Sequence, residues 1–363
     1  MRNMGFSSVT YIFVFFIATL SSFISCAPQV PCYFIFGDSL YDNGNNNNLV
    51  TEARANYPPY GIDFPDGPTG RFSNGRNIAD VIAQLLGFEK SIPPYATASP
   101  NEAVLGVNYA SGAAGIRDET GQHMGGRISL NQQIAHHATT ILQLADLIGN
   151  GNLKKVRKHL NKCIYTVAMG NNDFINNYFS PQHYKTSSLY TPEEYAEQLV
   201  QQYSKQLSIL YKYGARNFGI SGSSYSGCAP EMMTRYDSDV CVDAINGAVV
   251  QFNAKLVAAL AELKSNLTGA KFVYIEPSLG YSTDFNVTDK PCCTVSTTIG
   301  AGQCAPNQVP CDSRQNYVFW DAFHPTEGIS LVDGAAAYEA LSPFYADETK
   351  GTLPILEAFV NDI

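Results

Sequence analysis

The 363-residue chain is poor in positive charge: 23 Lys and Arg stand against 32 Asp and Glu, for a formal net charge of −9. Nucleic acids and anionic membrane surfaces are recognised through clustered basic side chains, so neither suits this chain as a partner. The sequence also lacks a Gly-x-Gly-x-x-Gly turn and a phosphate-loop lysine, which weakens any nucleotide-binding reading. Among its last four cysteines, Cys292, Cys293, Cys304 and Cys311, there is no Cys-x-x-Cys pair, and His324 is the one histidine near them. A zinc site is therefore disfavoured, and neither a metal nor another cofactor is expected. No internal repeat of roughly 20–50 residues is visible, no linker divides the chain, and no run beyond the N-terminal one reads as apolar enough to cross a membrane. A small-molecule or lipid partner of neutral or weakly polar character remains; the sequence leaves the oligomeric state open.

The N-terminus does carry an apolar run, Val9 to Leu20, behind Arg2 and ahead of the small residues Ser21, Ser22, Ser25 and Ala27. This layout predicts a cleaved secretory signal over 1–27, because the run is short for a bilayer span; an uncleaved anchor is the alternative. Residues 28–363 would then form one domain with no integral anchor. Cleavage after Cys26 or Ala27 leaves eight of the nine cysteines, an even number suited to disulfides in an oxidising compartment. The triplets that begin at Asn266 and Asn286 are N-glycosylation sequons, which fit a secreted protein but also arise by chance.

Hydrophobic patterning suggests strands alternating with helices. Nearly continuous apolar runs at 32–36, 104–110, 162–169, 215–220 and 270–275 have the length of strands buried on both faces. Segments with helical spacing fall at 77–86, 130–147, 192–213 and 242–263, and Pro325 is suited to open a last helix running to about Leu341. The alternation predicts an α/β fold, a parallel sheet covered by helices on both sides, with ligands held at the carboxyl edge of the strands. The Pro-, Gly- and Tyr-rich stretch 57–75 reads as a long loop at the edge or mouth of the sheet. His136-His137, on a helix, reads as solvent-facing rather than metal-binding.

Four segments carry chemistry. The first strand runs into Gly37-Asp38-Ser39-Leu40, where Gly37 permits a tight turn that exposes the serine at the sheet edge. The same serine would also serve as a helix N-cap. The second run ends in Asn108-Tyr109-Ala110-Ser111-Gly112-Ala113-Ala114-Gly115, small residues that admit either a ligand or a tightly packed helix. The third ends in Gly170-Asn171-Asn172-Asp173, offering either a side-chain amide to a ligand or an Asx turn. Near the C-terminus, Asp321-Ala322-Phe323-His324 sets a carboxylate before an imidazole, which suits a tautomer-fixing pair or a plain surface pair.

In order and content, Ile35-Phe36-Gly37-Asp38-Ser39, Asn108-Tyr109-Ala110-Ser111, Gly170-Asn171-Asn172-Asp173 and Phe319-Trp320-Asp321-Ala322-Phe323-His324-Pro325-Thr326-Glu327 resemble the plant GDSL lipase/esterase family of the SGNH hydrolases. The resemblance runs from about Pro31 to the C-terminus. It implies a flavodoxin-like three-layer α/β/α sandwich around a five-stranded parallel sheet of order 2-1-3-4-5. It implies Ser39 as nucleophile, His324 as general base oriented by Asp321, and an oxyanion hole made by the N–H groups of Ser39 and Gly112 and the amide of Asn172. The implied activity is hydrolysis of carboxylic esters, acyl lipids or acylated plant metabolites, in the apoplast, cell wall or vacuole. Acyl transfer to an alcohol other than water is the close rival, whereas the filled triad positions count against a catalytically silent binding protein.

In the implied strand order Cys32 and Cys163 begin neighbouring strands and would pair, while Cys292 and Cys293 would bond different partners. Phe174, Tyr178 and Phe179 are candidates for an acyl pocket or for the core, and Trp320 would hold Asp321 by packing. Ser224-Tyr225-Ser226-Gly227-Cys228 stands where Pro-Ile-Gly-Cys is common, the stretch 281–292 is short, and Thr294 stands where glycine is common; these departures bear on the shape of the substrate pocket.

Overall fold

A computed structural model describes residues 27–277, 285–298 and 300–346, so the expected signal segment lies, but for Ala27, outside the described residues. The central sheet is parallel, with β1 (Tyr33–Gly37), β2 (Ile164–Ala168), β3 (Asn217–Ser221) and β4 (Lys271–Ile275) side by side in that order. Tyr33 pairs with Ile164, Ile164 with Asn217 and Asn217 with Lys271, so the carboxyl ends of all four strands reach the same level. The principal helices are α1 (Ile78–Leu85), α2 (Leu130–Leu147), α3 (Leu153–Leu160), α4 (Pro192–Tyr213), α5 (Asp243–Asn266) and α6 (Glu327–Ala340).

Alternation along β1 creates the layers. Phe34 and Phe36 enter a core shared with α2, α3, α4 and α5, whereas Tyr33 and Ile35 enter a second core shared with α1 and α6. The chain is thus a three-layer α/β/α sandwich. Each buried Phe of β1 contributes about 1.5–3 kcal/mol by leaving water, and the one polar group in the run's side chains, the Tyr33 hydroxyl, is paired with Thr166 Oγ1 at 2.9 Å. Helix starts follow local chemistry: Asn77 and Asp80 form a reciprocal capping box on α1, Ser129 and Gln132 on α2, and Thr191 and Glu194 on α4, where Pro192 takes the first position. On α1 the cap is tied further by Arg71, whose Nε and Nη2 reach Asp80 at 2.6 and 2.7 Å. Burial would raise the Asp80 carboxyl, but the guanidinium overrides it and holds the group below its usual range.

Several expectations change. The stretch expected as a fifth strand, 104–110, does run beside β1, with Tyr33 and Ile35 N–H groups donating to Leu105 and Val107 and Tyr109 donating back to Ile35. It makes only an isolated bridge at Asn108, because Gly106 turns to a φ of 132° against the Tyr33 carbonyl and breaks the extended run. The order 2-1-3-4-5 is therefore reduced to four regular strands flanked by an irregular edge. Pro325 lies outside α6, which starts at Glu327 after Thr326 as its N-cap. α5 is long and apolar enough by length and composition to cross a membrane, contrary to the expectation for this part of the chain. Here its Ile245, Val249, Phe252, Leu256, Leu260 and Leu263 are buried, most of them in the core against the sheet. The pair His136-His137 is not solvent-facing: His136 is half-buried and stacks on Tyr95 at 4.2 Å, and His137 is buried with Nδ1 3.1 Å from the Tyr109 hydroxyl.

A second, two-stranded parallel sheet was not foreseen. It joins β5 (Val287–Pro291) to β6 (Tyr317–Phe319) and lies in the cysteine-rich C-terminal region. Cys292 bonds Cys311 and Cys293 bonds Cys304, so the adjacent cysteines do take different partners; Cys228–Cys241 and Cys32–Cys163 complete the described disulfides.

Candidate active site

β1 delivers Ser39 two residues past its end. A Cβ on Gly37 would lie 3.1 Å from Tyr41 Cβ and 3.3 Å from the Ala168 carbonyl, so the chain turns here closer to its neighbours than most side chains allow. No helix starts at this serine; the segment that follows is a series of turns, which removes the N-cap reading. Its Oγ lies 2.8 Å from His324 Nε2, although the two residues are 285 apart in sequence.

His324 arrives from the loop after β6. That loop closes on itself through Trp320 N–H donating to the His324 carbonyl and Thr326 N–H donating to Val318. Within it, Asp321 Oδ1 accepts the backbone N–H groups of Phe323 and His324 at 2.8 and 2.7 Å, and Oδ2 lies 2.8 Å from His324 Nδ1. The ionised carboxylate only accepts, so Nδ1 carries the ring proton and Nε2 presents a lone pair to the serine hydroxyl. Asp321 is fully buried, and Ser39 and His324 are each 8% exposed, enough to meet a substrate while excluding bulk water. Phe72 packs on the imidazole with ring centres 4.8 Å apart. Trp320 is buried beside Tyr60, Phe72 and the cysteines and does not reach the cleft.

The two donors expected beside Ser39 are placed differently. Asn172 lines the cleft, with Nδ2 donating to the Ala114 carbonyl at 3.0 Å and Oδ1 accepting from Asn176 at 2.7 Å; one amide hydrogen stays uncommitted. Gly112 differs from its expected role, because its N–H is spent on Asp42 Oδ2 at 3.0 Å and it does not line the cleft. Its lack of a side chain serves packing instead, since a Cβ there would come within 2.7 Å of Phe72. The next residue, Ala113, does line the cleft, at a φ of 63°, a left-handed conformation uncommon for a residue with a side chain. Among the described residues its N–H meets no acceptor, and the same holds for the Ser39 N–H.

The cleft itself has a volume of about 150 Å³. Beside the catalytic candidates its lining includes the apolar Ile175, Ala229, Phe319 and Phe323 and the hydroxyls of Ser224 and Ser226. Phe174 and Tyr178 turn instead into the main core, and Phe179 packs between two clusters, so none of the three lines the cleft; Ile175 and Asn176 do so from that stretch. The helical turn over Phe174–Tyr178 is kinked at Asn176, whose φ of −115° and ψ of 21° leave the helical region, so simple counting along the sequence does not give which positions face the cleft. Asn266 and Asn286 are both exposed, at the last residue of α5 and just ahead of β5.

A set of buried polar residues that sequence reasoning passed over braces the loops. Asp42 accepts the N–H groups of Gly44, Asn45 and Gly112, while Asp173 accepts those of Ile116 and Arg117 and the Thr120 hydroxyl. Asn45 and Asn46 donate to the Asn108, Ala110, Ala53 and Gly112 carbonyls, locking the stretch before Gly115 to the nucleophile loop. Burial pushes the Asp38, Asp42 and Asp173 carboxyls up to about 6 despite the hydrogen bonds that favour their charged forms. The available signal was the run Asn43 to Asn48 directly after the serine block, too polar for a core unless each amide satisfies backbone groups.

The profile of the GDSL-like lipase/acylhydrolase family matches residues 33–329. GDSL esterase/lipase At5g45670 of Arabidopsis thaliana is 47% identical over 88% of this chain and 91% of its own length. GDSL esterase/lipase At1g29670 of the same plant is 48% identical over 86% of this chain and 88% of its own, and GDSL esterase/lipase At4g18970 is 46% identical over 86% and 89%. With the match spanning the sheet, the serine turn and the loop that bears His324, the chain belongs to the GDSL-like lipase/acylhydrolase family.

Proposed function

We propose that the chain is a secreted serine ester hydrolase that works through an acyl-enzyme on Ser39. The observation that carries this reading is the line of contacts from Ser39 Oγ through His324 to buried Asp321, at the mouth of a largely apolar cleft. His324 Nε2 takes the serine proton as Oγ attacks the ester carbonyl, and Asp321 stabilises the imidazolium that forms. The developing oxyanion is met by the N–H groups of Ser39 and Ala113 and by the free amide hydrogen of Asn172. His324 then protonates the departing alcohol, and water resolves the acyl-enzyme by the reverse sequence.

The apolar lining suits an acyl group, and residues 28–363 act as one domain after loss of the 1–27 signal, with disulfides and the sequons at Asn266 and Asn286 fitting an extracellular or vacuolar setting. A second reading draws on Ser224 and Ser226, hydroxyls that border the cleft where the family commonly carries Pro-Ile-Gly-Cys. These would hold an acceptor alcohol, so that acyl transfer competes with hydrolysis. Incubation with a serine-directed fluorophosphonate followed by peptide mapping tests the nucleophile, and label on a residue other than Ser39 refutes it. Turnover of an ester panel with and without added alcohols separates the two readings, since a transferase yields a new ester and a hydrolase only the free acid.

A further inference from the structure

Asp321 has more partners than orientation of the histidine requires. Oδ1 is pinned by two backbone N–H groups of its own loop, but Oδ2 is pinned from outside, by the Tyr60 hydroxyl at 2.5 Å. Tyr60 belongs to the Pro-, Gly- and Tyr-rich stretch 57–75 and is 261 residues from Asp321 in sequence. Its ring is fully buried, and its oxygen in turn accepts the Cys304 N–H at 3.1 Å. The phenol thus gives its one hydrogen to Asp321 while a lone pair of the same oxygen accepts from the strap that Cys293–Cys304 closes. Burial, followed by the charge of Asp321, pushes the Tyr60 hydroxyl well above its ordinary range, so it stays a donor.

We propose that Tyr60 is a positioning residue for the catalytic carboxylate, joining the strap 293–304 to Asp321 and so fixing the rotation of the Asp321–His324 pair. The inference rests on the ester-hydrolase reading of the same site. Without this donor, Oδ2 would keep only its contact to His324 Nδ1 and leave a buried lone pair unpaired, so the carboxylate and imidazole could turn together and carry Nε2 away from Ser39. A built-in control exists. The Tyr57 hydroxyl binds the same strap, donating to the Cys304 carbonyl at 2.9 Å, and reaches Asp321 only through the Tyr60 side chain and through charge, so its removal leaves the direct Tyr60–Asp321 bond in place.

Hydrolysis of 4-nitrophenyl acetate by the full secreted chain tests the proposal, with Ser39→Ala, Tyr60→Phe and Tyr57→Phe compared with the wild type. Tyr60→Phe should lower kcat by about 10–100-fold while KM stays within about twofold, whereas Tyr57→Phe should leave kcat within about twofold. Wild-type turnover that depends on Ser39 and survives Tyr60→Phe overturns the Tyr60 proposal alone, as does an equal loss in both tyrosine variants accompanied by equal loss of thermal stability. Wild-type turnover indifferent to Ser39→Ala overturns this proposal together with the hydrolase reading. If Tyr60→Phe is recovered unfolded, a fluorotyrosine at position 60 keeps the hydroxyl and alters its acidity; kcat should then change by about threefold or more at constant KM, and an unchanged kcat overturns the proposal.

Discussion

The loop that carries Ser39 and the loop that carries His324 are held in different ways. Ser39 follows directly from β1, the fully buried strand beside β2, and its loop is braced by Asp42, Asn45 and Asn46 through hydrogen bonds to backbone. His324 comes from a small sheet outside the main one, held by Cys292–Cys311, Cys293–Cys304 and the Tyr60 hydroxyl. The placement of Ser39, the proposed nucleophile, is therefore inherited from the hydrophobic core and should last as long as the fold does. The placement of His324, the proposed base, rests on disulfides, a phenol and the small buried cluster around Trp320, so it is expected to loosen before the central sheet unfolds. Local stability differs between parts of one molecule, and here that difference would fall between the two halves of the proposed catalytic unit.

The largest test removes either half. Ser39→Ala and His324→Ala should each lower kcat on the order of 10⁶-fold, and a double variant should be no worse than either single one, because the two act as a unit. Additive losses, measured by steady-state hydrolysis, would break the comparison by showing that the halves work independently. Next, Asn172→Ala removes the side-chain donor proposed for the oxyanion without touching the Ser39–His324 contact, and should cost about 10²–10³ in kcat, or roughly 3–4 kcal/mol.

The straps come third. Replacing Cys293 and Cys304 together with serine should destabilise the C-terminal region by about 2–4 kcal/mol. Activity should then melt at a lower temperature than the far-ultraviolet signal of the sheet and helices. Coincident melting of the two would show that both halves share one cooperative unit.

The smallest effect concerns pH. Burial holds His137 down to about 3 and, with His183 and Arg235 nearby, His123 down to about 4. A group depressed in the folded state gives stability that is full above its unfolded value of 6.5 and is lost as pH falls toward the folded one. Asp38, Asp42 and Asp173, raised to about 6, act in the opposite direction, because the folded chain binds protons that the unfolded chain releases between 3.8 and about 6. Their contribution grows as pH falls through that window. The two sets oppose one another, so the wild-type melting temperature should change little between pH 7 and pH 5. His137→Gln deletes an imidazole penalty and leaves the carboxyls of the nucleophile side in place. Its melting temperature, compared with its own value at pH 7, should therefore fare better at pH 5 than that of the wild type; parallel pH slopes for the two proteins would contradict this.

Much of the architecture was legible because it follows from periodicity. The bounds of α2 and α4 agree with the helical spacing read at 130–147 and 192–213, where apolar positions recur on one face and capping boxes mark the starts. The edge segment after Gly106 was misread as a regular strand because an apolar run does not reveal a positive φ inside it. β5 and β6 escaped notice for a different reason: Val287–Pro291 reads VTDKP, with no fully buried position, so no hydrophobic pattern marks the pair, which two disulfides brace. His137 looked like half of a polar surface pair, yet its helix turns that position into the core against Phe34 and Tyr109.

From the sequence alone came the α/β class, the serine turn at the end of a buried strand and the separate Asp-x-x-His block, because each is a local pattern of residue types. Only the tertiary structure decided that Ala113 rather than Gly112 offers a free N–H, that Ile175 and Asn176 rather than Phe174 and Tyr178 face the cleft, and that Tyr60 reaches Asp321. Those outcomes depend on the direction of single bonds between segments far apart in the chain. A hydrogen bond is made or lost over less than an ångström and a few tens of degrees, and no linear pattern of residues records such distances.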